Sequence, residues 1–353
     1  TLVDGLQGGR QAILSRIHHC LMDGVAALTI FSRIFSGVDH VPAEPAEPWF
    51  PNPVPGGGRL LRAAMADRWR DCRELPPLAG RTVRHLSAAR QERRRWPDPV
   101  PRPSDTPKTR FDQAFSSQRT YARASVSLAD VKRVKDAAGV SLNDVALALV
   151  AGALRRVLLA EGTLPDRPLT ASVPVGFEPP GAPVRSYGNR FSGLTTSLAT
   201  DLEDPWRRLL AIHRTTKAAR AVLDALGPDL LPDWLQQVPP ILSEAAMRAR
   251  HRALVRGQRP DANILVSNLR GPECRWQFGP AEVEDLHLVG PPSNGVGTNV
   301  MLWSYDGKMA FSALSFASAL PDARGFTDAI EMAMDDLLAT VDTRHPSSDS
   351  VPA

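Results

Sequence analysis

The sequence predicts an α/β protein of two lobes, and three observations carry that expectation. Short segments that alternate apolar and polar residues at the period of a strand are interleaved, throughout the chain, with longer segments at helical period. The 353 residues exceed the usual size of one domain, about 100 to 200 residues, and suffice for two moderate cores. Two proline-rich crossings, 41–58 and 96–107, interrupt the pattern where helices and central strands are forbidden.

In chain order, residues 2–6 enter as an apolar strand-like segment. The first residue is Thr1 rather than Met, so a chain whose beginning is missing, with an incomplete first lobe, is expected. Residues 11–17 alternate as a strand and 24–31 begin a helix. After the first crossing, 59–95 turns to Ala, Leu and Arg at helical spacing, and Pro76-Pro77 is expected to divide it into two helices. The lobe boundary is placed in the second crossing, giving domains at 1–100 and 101–343 and a disordered tail at 344–353.

Beyond the boundary, 118–126 reads as a strand. Residues 128–138 read as a helix capped by Ser127 and ended by Gly139, and a longer helix through Leu159 starts at a cap supplied by Ser141 or Asn143. Strands are expected at 170–175 and 191–198, a helix at 205–226, a further helical run at 234–256, and strands at 262–267, 283–289, 298–303 and 308–316. A last helix covers 326–341.

Composition excludes several classes. No stretch approaches the roughly 18 uncharged apolar residues of a membrane span, and no basic segment precedes an apolar signal core, so a cytoplasmic protein, soluble or peripheral, is expected. Cys20, Cys72 and Cys274 are odd in number and widely spaced, which argues against a disulfide framework and a structural zinc site; no metal site is expected. The net charge of +4, carried mainly by arginine, suits acidic surfaces or phosphate-bearing ligands without naming one, and no nucleic-acid partner is expected.

The chemistry concentrates at Ile17-His18-His19-Cys20-Leu21-Met22-Asp23-Gly24, between a strand and a helix. Neighbouring side chains on a strand end diverge, so His18 and His19 have different jobs. An imidazole, with an ordinary pKa of about 6.5, takes a proton from a hydroxyl near neutral pH if a partner orients its other nitrogen. Asp23 either braces the turn or pairs with a cation, and Gly24 lets the chain turn tightly. Cys20 is not read as a nucleophile, because it diverges from His19 and no second histidine is placed to serve it.

These residues match the HHxxxDG motif and resemble the coenzyme A-dependent acyltransferase superfamily, shared by chloramphenicol acetyltransferases, peptide-synthetase condensation domains and wax ester synthase/diacylglycerol acyltransferases. Later segments narrow the resemblance to the last of these in its bacterial form. Leu2-Val3-Asp4-Gly5-Leu6 with Gly9-Arg10 looks like the strand pair before the family's histidines. Ser141-Leu142-Asn143-Asp144 looks like its Asn-Asp motif, and Ser172-Val173-Pro174-Val175 with Gly188-Asn189 looks like its next strand and loop. Ser267-Asn268-Leu269-Arg270-Gly271-Pro272 resembles its SNxxGP turn, and Ser304-Tyr305-Asp306-Gly307 with Pro321-Asp322 resembles its closing hairpin and final helix entry. The chain departs from the pattern at Arg270, where the turn commonly has a small or apolar residue, and at the front, where the family carries a further segment with a Pro-Leu-Trp motif.

The resemblance implies a two-lobed chloramphenicol-acetyltransferase-like sandwich. It implies an O-acyltransferase that moves a fatty acyl group from acyl-CoA to the hydroxyl of diacylglycerol or a long-chain alcohol, with acyl-CoA as substrate and no metal or redox cofactor. His19 would be the general base, without a covalent acyl-enzyme; His18 and Asp23 would orient the site, Asp23 through a structural ion pair. Gly24, Asn143 and Asp144 would be structural, and Asn268, Gly271 and Pro272 would lie along the substrate channel. The basic helical stretch 59–95, with Trp69 and Trp96, would meet the inner membrane or a lipid-droplet surface. The rival readings are a condensation-type domain using carrier-protein thioesters, which lacks support because no Asp-Phe-Gly-Trp segment follows, and a non-catalytic lipid-binding fragment.

Overall fold

A computed structural model describes residues 1–35, 50–51, 53–97, 100–178, 181–182, 184–272 and 274–344. Most of the first proline-rich crossing and the tail from residue 345 lie outside the described residues.

The chain begins with a hairpin, β1 (Leu2–Leu6) and β2 (Arg10–Ile13), that pairs only with itself. Helix α1 (Gly24–Ile34) and the long α2 (Gly57–Arg95) follow. Next come β3 (Arg119–Ser127), α3 (Leu128–Ala138), α4 (Leu142–Ala160), β4 (Thr170–Gly176), β5 (Phe191–Ser197) and α5 (Pro205–Leu226). The remainder is α6 (Leu230–Gln237), α7 (Pro240–Val255), β6 (Ile264–Leu269), a small hairpin of β7 (Gln277–Phe278) and β8 (Ala281–Glu282), then β9 (Thr298–Tyr305), β10 (Lys308–Phe316) and α8 (Ala323–Arg344).

A six-stranded sheet in the order β3-β10-β9-β6-β4-β5 organises the molecule, parallel from β9 through β6 to β4 and antiparallel towards both edges. Helices α4, α5 and α8 pack against it and one another around a single large core. Helix α4 is apolar on nearly every side because the core surrounds it, with residues 144–154 buried. Its start is closed by a capping box, Ser141 accepting from the Asp144 N–H while the Asp144 carboxylate accepts from the Ser141 N–H. Ser141, rather than Asn143, is therefore the cap. Ser127 caps α3 and Gly139 ends it in the left-handed region, as the sequence leads one to expect.

Three expectations are corrected. Pro76 and Pro77 do not divide α2, which continues through them. The residues whose carbonyls they leave without a helical donor, Cys72 and Arg73, are exposed, and the helix is tethered on both sides of the pair. Arg68 donates to the Gln237 carbonyl at 3.0 Å, Arg81 pairs with Asp233 at 2.8 Å, and Trp234 donates to Thr82 Oγ1 at 2.9 Å. The run at 234–256 is two helices, because Pro239 holds Val238 extended (φ −82°, ψ 120°) and Pro240 opens the second.

Residues 283–289 form no strand. Val283, Leu286 and Leu288 instead pack on a second cluster of Trp276, Trp303 and Tyr305, and the Val283 carbonyl accepts from the Tyr305 hydroxyl at 2.6 Å. The final helix reaches Arg344, slightly beyond the expected end.

Among the described residues no single helix is long and apolar enough to cross a membrane. The pair α3 and α4 passes that test only together, across a 106° bend, and α4 is a core helix.

Candidate functional site

The second cluster docks α1 onto the sheet. Leu28, Phe31 and Phe35 pack against Trp276, Trp303 and Tyr305, with Phe35 stacked on Trp276 at 5.7 Å between ring centroids. At its other end α1 meets the C-terminal ends of two parallel strands. A Cβ added at Gly24 would stand 2.2 Å from Leu269 Cδ1, at the end of β6, and one added at Gly176, at the end of β4, would stand 3.8 Å from Val25 Cγ2. The glycine at position 24 thus serves a close approach rather than an unusual backbone angle.

Residues 18–23 precede α1 as a turn. Since β2 ends at Ile13, the histidines do not sit on a strand end, yet they still diverge. His18 Nδ1 accepts from the Cys20 N–H at 3.2 Å, whereas His19 Nδ1 lies 3.1 Å from Asn189 Oδ1; both side chains are exposed. His19 also neighbours Phe191, at 6.2 Å between centroids. Cys20, Cys72 and Cys274 are exposed free thiols.

Asp23 is the hub. Its Oδ1 accepts from the Ala26 N–H at 3.0 Å, capping α1, while Oδ2 accepts from the Arg190 N–H at 2.7 Å and from Arg185 at 2.8 Å. The paired side chains are 9% and 12% exposed. Burial pushes the Asp23 carboxyl up, but the two backbone donors and the Arg185 guanidinium outweigh it, and the net direction is down. Arg185 is also desolvated, yet Glu178 and Asp23 together hold its pKa above the ordinary value. It further donates to the carbonyls of Tyr187 and Gly188 at 3.1 and 2.7 Å.

The backbone completes the clamp between the turn and residues 185–190. The Gly188 N–H donates to the Leu21 carbonyl at 2.6 Å and the Asp23 N–H to the Gly188 carbonyl at 3.1 Å. Asn189 Nδ2 donates to the His19 carbonyl at 2.9 Å and the Cys20 carbonyl at 3.3 Å.

The expected site residues therefore divide. His18, His19, Asp23 and Gly24 form one turn, and Asn268, half-buried, adjoins the Leu269 that packs on Gly24. Gly271 is buried, its N–H donating to Ser304 Oγ at 3.0 Å, and Pro272 beside it is half-buried. A Cβ at Gly271 would stand 1.6 Å from the Ser304 carbonyl oxygen, so this glycine has a packing reason of its own. Asn143 is half-buried in the first turn of α4. Buried Asp144 turns to Ser141 and to His213 on α5, whose Nδ1 lies 2.8 Å from Asp144 Oδ2, and it makes no described bond to the histidine turn.

Arg185 and Glu178 were not legible as site residues, because charges in a loop rich in glycine and proline look solvated. Asn189 was visible only as part of a Gly-Asn pair. Among the described residues, no group of three His, Cys, Asp or Glu side chains converges in a way that would hold a metal.

Residues 1–146 match the model of the wax ester synthase/diacylglycerol acyltransferase catalytic domain, and residues 187–338 match that of the WS/DGAT C-terminal domain. A putative diacylglycerol O-acyltransferase of Mycobacterium tuberculosis H37Rv is 33% identical over 325 residues, covering 92% of this chain and 68% of the relative. A second from the same strain is 31% identical over 353 residues, covering 98% and 67%. In fold, the chain is similar to a wax ester synthase/diacylglycerol acyltransferase from Marinobacter aquaeolei VT8, with a TM-score of 0.63 at 23% identity over 96% of this chain and 71% of that one. It is also similar to the starter condensation domain of rhizomide synthetase, with a TM-score of 0.51 at 13% identity over 94% and 66%. The α/β acyltransferase fold expected from the histidine motif is thus the fold that the chain shares with these structures.

Proposed function

The chain belongs to the wax ester synthase/diacylglycerol acyltransferase family, and from that premise we propose that it is an acyl-CoA-dependent O-acyltransferase whose acceptor is diacylglycerol, with His19 as general base. The acceptor follows the description of the mycobacterial relatives, and long-chain alcohols are the second acceptor class to test.

The observation that carries the assignment of the base is the way the turn uses its other polar groups. Both Asp23 oxygens are consumed by the cap, the Arg190 N–H and Arg185, and His18 Nδ1 is consumed by the Cys20 N–H. A histidine that accepts at Nδ1 carries its hydrogen on Nε2 when neutral, so His18 has no lone pair to offer there. His19 remains, exposed and tied to Asn189. In the proposed reaction it takes the proton of the acceptor hydroxyl as the oxygen attacks the thioester carbonyl. The C–S bond then breaks, and the leaving thiolate of coenzyme A receives that proton. No acyl-enzyme forms, and no metal or redox cofactor enters the scheme.

An apolar acceptor must be met where it is dissolved, and the exposed surface offers an apolar face suited to a lipid surface. On α2, Leu60, Leu61, Met65 and Trp69 are exposed beside Arg62 and Arg68, and Leu235 and Met247 line an open groove of about 930 Å³ between α6 and α7. That groove shares no lining residue with the histidine turn, and we assign it to lipid contact rather than chemistry.

The test is radiolabelled acyl transfer from acyl-CoA to a panel of diacylglycerols and long-chain alcohols. The His19→Ala variant is expected to lose transfer about 10²-fold or more with unchanged circular dichroism. Transfer at the wild-type rate would remove His19 as the base.

A further inference from the structure

We propose that Asn189 is a positioning residue for acyl transfer: it fixes His19 in the tautomer whose Nε2 carries the lone pair, and it holds the imidazolium once the proton has moved. The inference rests on His19 being the base and adds the device that prepares it.

The side-chain amide of Asn189 has one orientation that satisfies its neighbours. With Nδ2 towards the turn, it donates to the carbonyls of His19 and Cys20 at 2.9 and 3.3 Å, and Oδ1 then faces His19 Nδ1 at 3.1 Å. The reversed amide would set its oxygen against two carbonyl oxygens, and both donors would be lost. An amide oxygen only accepts, so His19 Nδ1 must carry the hydrogen, and a neutral ring protonated at Nδ1 exposes its base on Nε2. When Nε2 takes a proton, the Nδ1–H becomes part of a cation and its bond to Oδ1 strengthens.

The contrast with His18 sharpens the point. In that ring Nδ1 accepts from the Cys20 N–H, which selects the opposite tautomer. Two adjacent histidines of identical chemistry are thus set in opposite protonation patterns by one backbone donor and one amide.

Asn189 is held in place for this by its neighbours in sequence. Gly188, at φ +80°, exchanges backbone bonds with Leu21 and Asp23 on one side, and the Arg190 N–H is taken by Asp23 on the other. The same buried ion pair that braces the turn therefore also delivers the amide to His19.

The experiment uses protein labelled with ¹⁵N-histidine, in which two-bond proton–nitrogen correlations report the tautomer of each ring, with the His19 signals assigned by their loss in His19→Ala. The wild type is expected to show His19 protonated at Nδ1 above neutral pH. Asn189→Ala should move it towards the Nε2–H form that free histidine favours, and should lower kcat about 10²-fold with KM within about twofold. Asn189→Asp keeps the acceptor, loses the donors and adds a charge. It should recover part of kcat relative to Asn189→Ala and move the acidic limb of the rate profile about one unit to higher pH, since a nearby carboxylate favours the imidazolium.

A wild-type His19 protonated at Nε2 overturns the proposal, and that measurement decides even if a variant fails to fold. So does an Asn189→Ala protein with unchanged tautomer and kcat while His19→Ala is inactive. An active His19→Ala would instead overturn the assignment of the base, with the tautomer measurement still deciding what Asn189 does to the ring.

Discussion

Removing the Asp23 carboxylate separates a bracing role from a chemical one. Asp23→Ala deletes three bonds, from the N–H groups of Ala26 and Arg190 and from Arg185. Loss of the helix cap costs about 1 kcal/mol. Breaking a buried ion pair costs about 3–5 kcal/mol when the survivor is left bare. Arg185 is not left bare, since Glu178 stays 2.6 Å away and two carbonyls still accept from it, so the pair contributes less than that range. The expected sum is about 3 kcal/mol, roughly a 150-fold shift of the equilibrium that opens the turn.

The turn and the 185–190 loop can open without global unfolding, so the measurement is hydrogen exchange at the Ala26 and Arg190 amides, with thermal denaturation alongside. Asp23→Asn keeps a capping oxygen but loses the charge, and should cost about 2 kcal/mol. A cycle with Arg185→Ala should show coupling of about 1 kcal/mol or more. The sign of the pH effect follows from the lowered carboxyl pKa. Asp23 contributes fully above its unfolded value of about 3.9 and loses that contribution as pH falls through the lower folded value, so wild-type protection declines in acid while that of Asp23→Asn stays flat. An Asp23→Ala protein with wild-type protection and thermal midpoint but no acyl transfer would refute the bracing role and place the carboxylate in the chemistry.

Two glycines give further tests. Gly24→Ala drives a Cβ into the end of the Leu269 side chain, so it should cost about 1–3 kcal/mol in thermal and urea denaturation and lower acyl transfer, with Leu269→Ala in the same chain restoring much of both; a variant as stable and active as wild type would contradict the close approach. Gly271→Ala meets the Ser304 backbone carbonyl, which cannot swing aside, so it should cost more than about 3 kcal/mol or yield insoluble protein, while Ser304→Ala loses one hydrogen bond and about 1 kcal/mol; equal effects of the two in urea denaturation would be incompatible with that geometry.

The strands and helices of the large sheet were legible because burial imposes a period. Residues 170–175, 298–303 and 308–316 alternate or run apolar as a packed sheet demands, and Ser127, Gly139 and Pro205 mark helix ends by local chemistry. Failures arose where a local rule met a tertiary one. Pro76-Pro77 would break an isolated helix, but tethers at Arg68, Arg81 and Thr82 hold α2 through them. Residues 283–289 look like a strand because they are rich in Val and Leu, but Val283, Leu286 and Leu288 serve to cover Trp276, Trp303 and Tyr305, which needs apolar side chains and no hydrogen-bonded neighbour.

Of the site, the histidine turn was legible as a motif and its ion pair as an expectation, whereas the cation was anonymous, and the reason lies in a loop. Strands β4 and β5 are antiparallel neighbours whose ends face each other, Gly176 opposite Phe191, so a tight turn of about two to five residues would join them. The chain instead spends residues 177–190 there. Closing a longer loop costs entropy, though only about 0.6 kcal/mol for each doubling of length, and in return it delivers Arg185 to Asp23, Gly188 to the backbone of Leu21 and Asp23, and Asn189 to His19. No side chain in the loop reveals this role by its type, since Arg, Gly and Asn are ordinary loop residues. The excess length between two strands that need almost none is the signal, and it becomes readable only when the strands are known to be adjacent. A loop that long between paired strands, opposite the turn that carries the proposed base, is where the partners of that base should be sought.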